Sequence, residues 1–191
     1  MLLSDGSTMR LYRQTVQDFG LYPGLELTEE EFSCLQKAVG EMSAKMRAVR
    51  IVSASSVSKR DLEQRLIQKG EDPTQAKQAV AWMSDLNLLD DRKTAEQVVH
   101  RCISKGYGLA RAKQALYEKR IPKELWEDAL ADYPDQTEHI AEFLRSRLGD
   151  SWEEKDLRKA IDALMRRGHN YSQIRKALQT LLEDCDFAEE F

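Results

Sequence analysis

The residues in this chain best suited to chemistry are cations, and they fall in two clusters. Between Val99 and Lys123, Arg101, Lys105, Arg111, Lys113, Lys119, Arg120 and Lys123 face Glu118 alone, a local charge of +6. Between Lys155 and Lys176, Lys155, Arg158, Lys159, Arg166, Arg167, Arg175 and Lys176 face Asp156 and Asp162, a local charge of +5. Such clusters suit contact with phosphates or with an acidic protein surface. Acidic residues gather elsewhere, in residues 26–31 and in residues 183–191, where Glu183, Asp184, Asp186, Glu189 and Glu190 sum to −5. The 191-residue chain carries −4 overall, so it is an acidic protein with two local basic faces. A uniformly basic nucleic-acid coat is excluded.

Other reactive types do not assemble into a site. His100, His139 and His169 are isolated, and no Cys or His stands at zinc-ligand spacing. There is no Gly-rich phosphate loop and no nucleophile elbow. Asp90-Asp91 sits where carboxylates favour a helix N-terminus, and two oxygens-bearing side chains are too few for Mg²⁺. Cys102 falls on an apolar helical face and belongs in a core. The chain reads as a non-enzyme with no catalytic residue, no metal and no cofactor. Cys34, Cys102 and Cys185 are odd in number and far apart, as expected of reduced thiols in the cytoplasm. No apolar run of about 18 residues exists to span a membrane, and Ser4-Asp5-Gly6 follows Met1-Leu2-Leu3 too soon for a signal peptide.

The elements that must carry these cations repeat. Ser56–Gly70 (SVSKRDLEQRLIQKG), Gly106–Arg120 (GYGLARAKQALYEKR) and Gly168–Leu182 (GHNYSQIRKALQTLL) align at offsets of 50 and 62. Leu62, Ala112 and Ile174 then share one column, and Leu66, Leu116 and Leu178 another. Each copy is a turn followed by a basic helix with an apolar i, i+4 pair. A helix this short cannot bury its face alone, so repetition implies stacked helical units. The fold class expected is all-α: three tandem three-helix repeats in an extended, curved array, with a small N-terminal β-hairpin suggested by Asp5-Gly6.

Local signals set the boundaries. Pro23-Gly24 closes an N-terminal extension, residues 1–27. Repeat 1, residues 28–90, opens on the capping box Thr28–Glu31 and a helix whose apolar face is Phe32, Leu35, Val39, Met42, Met46 and Val49. Ser58 and Asp61 start its second helix. Asp72-Pro73 starts a third along Ala76, Ala79, Val80, Met83 and Leu86, ending at Asn87. Repeat 2, residues 91–134, lines up Ala95, Val98, Val99, Cys102 and Ile103, breaks at Gly106, and resumes at Pro122 with Leu125, Trp126, Ala129, Leu130 and Tyr133. Repeat 3, residues 135–182, runs through Ile140, Phe143, Leu144 and Leu148. Its second helix, capped by Ser151 and Glu154, carries Leu157, Ala160, Ile161, Leu164 and Met165. Gly168 breaks before Ile174, Ala177, Leu178, Leu181 and Leu182. Residues 183–191 form an acidic tail.

These residues also resemble a known family. Leu88-Leu89-Asp90-Asp91, then Lys105-Gly106-Tyr107-Gly108 with Arg111 and Leu116, then Arg166-Arg167-Gly168 before Ile174, are similar to the RecX family, regulators of the RecA recombinase. The resemblance spans roughly residues 40–182 and is most specific in SKGYGLARAKQALYEKRI. Asn87 stands where the family usually has Gly, Arg120 replaces the Gly of a usual KGI, and Thr94 replaces an aromatic.

The resemblance implies a negative regulator that binds the RecA–DNA filament, limits its growth or activity, and so damps recombination and SOS induction. It implies a monomer whose partner is the RecA filament, with single- or double-stranded DNA as a further partner and no membrane. The residues expected to make contact are Arg101, Lys105, Tyr107, Arg111, Lys113, Lys119, Arg158, Arg166, Arg167, Arg175 and Lys176, the arginines and lysines mostly solvent-exposed. Tyr107 has two readings, a ring stacked on a guanidinium or base, or a ring packed at the hinge between repeats. The alternative function is a helix-turn-helix transcriptional regulator on duplex DNA, since Gly106 and Gly168 sit at helix-to-helix turns. Ala110-Arg111-Ala112-Lys113 and Ser172-Gln173-Ile174-Arg175 are better suited to phosphate or carboxylate contact than to base readout.

Overall fold

The computed structural model describes the backbone of residues 1–148 and 153–189, with side chains up to Leu182. Among the described residues there are ten α-helices, one 3₁₀ turn and no strand. They form two compact units, Met1–Asp90 and a second beginning at Asp91.

In the first unit α1 (Arg13–Asp18) leads to the triplet α2 (Glu29–Ala54), α3 (Lys59–Gln68) and α4 (Pro73–Asp85). Each long helix starts on a side-chain cap. The Thr28 hydroxyl accepts from the Glu31 N–H at 3.2 Å while Glu31 accepts from the Thr28 N–H at 2.8 Å, the expected capping box. Ser58 Oγ accepts from Asp61 N–H at 3.1 Å, and Asp72 Oδ1 accepts from the Thr74 and Gln75 amides at 2.8 and 3.2 Å. Asn87 ends the triplet in the left-handed region at φ 56°, as its short polar side chain allows.

Two expectations fail here. The N-terminal hairpin is absent: Leu2 and Thr8 form one isolated antiparallel bridge, because a two-stranded ribbon this short lacks a face to pack. Helix α1 follows it. The buried stripe of α2 also differs. Leu35, Ala44 and Ala48 are buried, whereas Met46 is exposed and Val39, Met42 and Val49 are half-buried. Helix α4 approaches so closely that a Cβ at Gly40 would strike the Gln75 side chain. Close approach selects small residues, and Ala76 and Ala79 answer Ala44 and Ala48 in the core with Leu62, Leu66 and Met83.

The second unit holds two triplets. One is α5 (Asp91–Ser104), α6 (Leu109–Glu118), a 3₁₀ turn (Lys123–Leu125) and α7 (Trp126–Leu130); the other is α8 (Thr137–Leu148), α9 (Glu154–Arg166) and α10 (Tyr171–Glu189). Each keeps its own core, Ala95, Val99, Leu116 and Ile121 in the first, Ile140, Leu144, Leu164, Ile174 and Leu181 in the second. Pro122 starts a 3₁₀ turn and not the expected α-helix, and only Trp126 onward is α-helical. Helix α9 has Glu153 as its N-cap residue; Ser151 lies outside the described residues. Helix α10 continues through the acidic stretch to Glu189, and residues 190 and 191 lie outside the described residues.

Candidate partner-binding surface

The repeat columns explain how the basic helices are held. Leu62, Ala112 and Ile174 are all 0% exposed, as are Leu66 and Leu116. Leu178 is half-buried, and Leu181 takes the deep position in that helix. With that edge buried, α6 and α10 turn their Arg and Lys edge outward.

The turns entering these helices interlock. Gly108 N–H donates to the Arg167 carbonyl at 3.0 Å, and Ala110 N–H donates to the Gly168 carbonyl at 3.3 Å. The approach is possible only because both positions lack a side chain. A Cβ on Gly108 would collide with the Gly168 carbonyl, and one on Gly168 would collide with the Arg111 backbone. Gly106 and Gly168 are also left-handed, at φ 61° and 88°, the conformation that lets each chain leave its helix. The turns were legible as turns in the sequence. Their contact was not, because Gly–Gly packing carries no hydrophobic signal.

Around this joint the side chains divide by role. His169 is 3% exposed, and its Nε2–H donates to the Gly106 carbonyl at 3.0 Å. Burial is the main cause of its lowered pKa, opposed by the Gly106 hydrogen bond and aided by the Arg167 charge, which favours the neutral ring. The Arg167 guanidinium lies 4.9 Å from the Phe143 ring centre and 5.7 Å from that of Tyr107. Tyr133 Oη donates to the Tyr107 carbonyl at 2.6 Å, and burial raises the Tyr133 pKa to about 12. The half-buried Tyr107 ring thus packs beside a guanidinium of this same chain, in line with the hinge reading.

The expected contact residues separate in the same way. Arg101, Lys105, Lys113, Arg166 and Arg175 are exposed and have no ion-pair partner among the described residues. Arg158 pairs with Glu154 at 2.7 Å and Lys176 with Asp135 at 3.7 Å, both in the open. Arg111 and Arg167 depart from the expected exposure and are half-buried, as is Lys119. Arg111 reaches Glu118 at 2.9 Å, which raises the Arg111 pKa and lowers that of Glu118 through the shared hydrogen bond. Cys102 is buried and its thiol pKa is raised by desolvation, which disfavours the thiolate a nucleophile needs. Among the described residues no cluster of His, Cys, Asp or Glu could hold a metal, and no helix is long and apolar enough to cross a membrane.

Residues 90–130 match the model of the RecX second three-helix domain. The chain is 32% identical over 148 residues to the regulatory protein RecX of Xanthomonas axonopodis pv. citri, covering 91% of that protein and 75% of this one. The chain belongs to the RecX family. It is 28% identical over 146 residues to the RecX of Vibrio parahaemolyticus, across 94% of that protein and 75% of this chain. Two crystal structures of RecX proteins share the fold. One, of a regulatory protein RecX, superposes with a TM-score of 0.65 at 20% identity over 85% of both chains. The other, from Lactobacillus salivarius, gives 0.63 at 24% identity over 75% of this chain and 97% of that one.

Proposed function

We propose that this RecX-family chain regulates a RecA-type recombinase by binding the RecA–DNA filament with the basic face of its second unit. The observation that carries the reading is the joint: Gly108 and Gly168 bring the turns bearing Lys105 and Arg166 together, and on the helices beside them Arg101, Lys113 and Arg175 are exposed cations with no ion-pair partner among the described residues. A filament offers phosphates and acidic side chains, and contacts of this kind are long-range, fast and steeply salt-dependent. Exposed cations without partners lose no intramolecular ion pair on binding. Arg111 and Arg167 hold the joint, and their role is positional. The protein then acts by occupying filament surface, with no bond made or broken.

The test is the ATP hydrolysis of RecA on single-stranded DNA. Added protein should lower the rate saturably, and Lys105→Glu/Lys113→Glu should shift the half-maximal concentration upward by roughly tenfold at low salt. An unchanged rate at concentrations equimolar with RecA would overturn the reading. A duplex-DNA regulator would leave that rate alone and bind naked duplex instead.

A further inference from the structure

We infer that the first unit carries a separate site, an arginine-lined pocket that takes the phosphodiester backbone of single-stranded nucleic acid. Arg10, Tyr12, Ser43, Arg47 and Arg50 line one cavity of about 410 Å³. Small-ligand sites span roughly 300–1,000 Å³, so the space admits a phosphate with its sugar. Ser43, Arg47 and Arg50 lie at i, i+4 and i+7 on one face of α2, and residues 10–12, just ahead of α1, supply the other wall.

The pocket is built from behind. Glu71 is only 8% exposed, accepts from Ser43 Oγ at 3.0 Å and pairs with Arg47 Nε at 2.7 Å. Arg47 Nη1 also donates to the Lys69 carbonyl at 2.7 Å. Its guanidinium is thereby fixed before any ligand arrives, which removes part of the ordering cost of binding. Arg10 and Arg50 are exposed, and among the described residues neither has an ion-pair or hydrogen-bond partner. Glu71 is committed to Arg47, so two positive charges face the cavity uncompensated. An anion relieves their repulsion, and the planar guanidinium fork matches phosphate oxygens in pairs.

Tyr12 decides the class of ligand. Its half-buried ring borders the same cavity and offers a face on which an unpaired base can stack. In duplex DNA the bases are stacked inside and cannot reach it, and an acidic peptide has no base to offer. The site needs no protein partner, so it stands or falls independently of the recombinase reading.

The test uses the full chain alone and a fluorescein-labelled oligothymidylate of about twelve nucleotides, within the ~4–16-nucleotide site sizes of single-strand binders. Arg10→Ala/Arg50→Ala should weaken binding at least roughly tenfold at about 50 mM salt and flatten the slope of log affinity against log salt by about 1.4. Lys37→Ala/Lys77→Ala removes the same charge from the same unit outside the pocket and should change affinity by less than about threefold. Tyr12→Ala should weaken binding by roughly tenfold while Tyr12→Phe should not, and this pair carries the test if the double arginine variant melts early. Equal losses from the two charge-matched doubles would overturn the proposal, as would tighter binding of duplex or polyglutamate than of the single strand.

Discussion

At His169 the ring gives its Nε2–H to the Gly106 carbonyl, while its buried Nδ1 has no hydrogen-bond partner. A second proton would place a charge in an unsolvated position beside the Arg167 guanidinium and His139, which is why the folded-state pKa lies below 6.5. The unfolded chain therefore binds more protons just below that pH. Stability from this residue is complete above about pH 6.5 and declines as the pH falls toward the folded pKa. His169→Gln keeps a donor near Nε2 and cannot titrate, so its melting temperature should fall less than the wild type's between about pH 7.5 and 5.5. Parallel curves for the two proteins would refute this account of the ring. At Gly108 the constraint is steric. Gly108→Ala should cost about 1–3 kcal/mol by forcing a Cβ onto the Gly168 carbonyl. Gly70→Ala, strained at φ 89° but with nothing nearby to strike, should cost about 1 kcal/mol. Denaturant titration of both separates collision from backbone strain.

Among the elements, α6 joins the repeat to the proposed function. Its buried edge, Ala112 and Leu116, was legible because apolar residues recur at helical spacing in all three copies. The caps at Thr28, Ser58 and Asp72 were legible because short polar side chains ahead of a periodic stretch have few other uses. What stayed hidden depended on distance between segments. The sequence suggested that Met46 was core and gave no sign that Gly40, Ala44 and Ala48 form the contact with α4, since small residues matter only once a neighbour is close. It also grouped Arg111 with Lys113, although Glu118, seven residues on, engages only the first. That difference yields a prediction. Lys113→Glu should reduce filament binding with little change in melting temperature, because an exposed charge contributes little to stability. Arg111→Glu should lower both, since it places a carboxylate against Glu118 next to the Gly168 turn. Equal behaviour of the two variants in melting and binding assays would remove the distinction. Tyr107→Ala should likewise lower the melting temperature by several degrees, and Tyr107→Phe should leave it unchanged, because the ring and the backbone carbonyl, not the phenol, make the observed contacts.

For the molecule as a whole, charge segregation is the property that the proposed function exploits. The protein is acidic in sum, yet residues 99–123 carry +6 and residues 183–191 carry −5. Competition of this −5 segment with an acidic partner for the basic faces predicts that removing residues 183–191 tightens filament binding at low salt. The gain should shrink as ionic strength rises and the Debye length falls from about 30 Å at 0.01 M to about 10 Å at 0.1 M. A gain that is absent at low salt would leave those residues with a solubilising role alone. The central claim is that the basic joint of the second unit engages a RecA–DNA filament in preference to DNA. Its most direct test is cosedimentation with preformed RecA filaments beside the same DNA without RecA, comparing wild type with Lys105→Glu/Lys113→Glu at matched salt. Wild type should pellet with the filament well above its level on naked DNA, and the double variant should lose most of that excess while melting normally. Equal pelleting of wild type on filament and naked DNA, or retention of the full excess by the variant, would contradict the account.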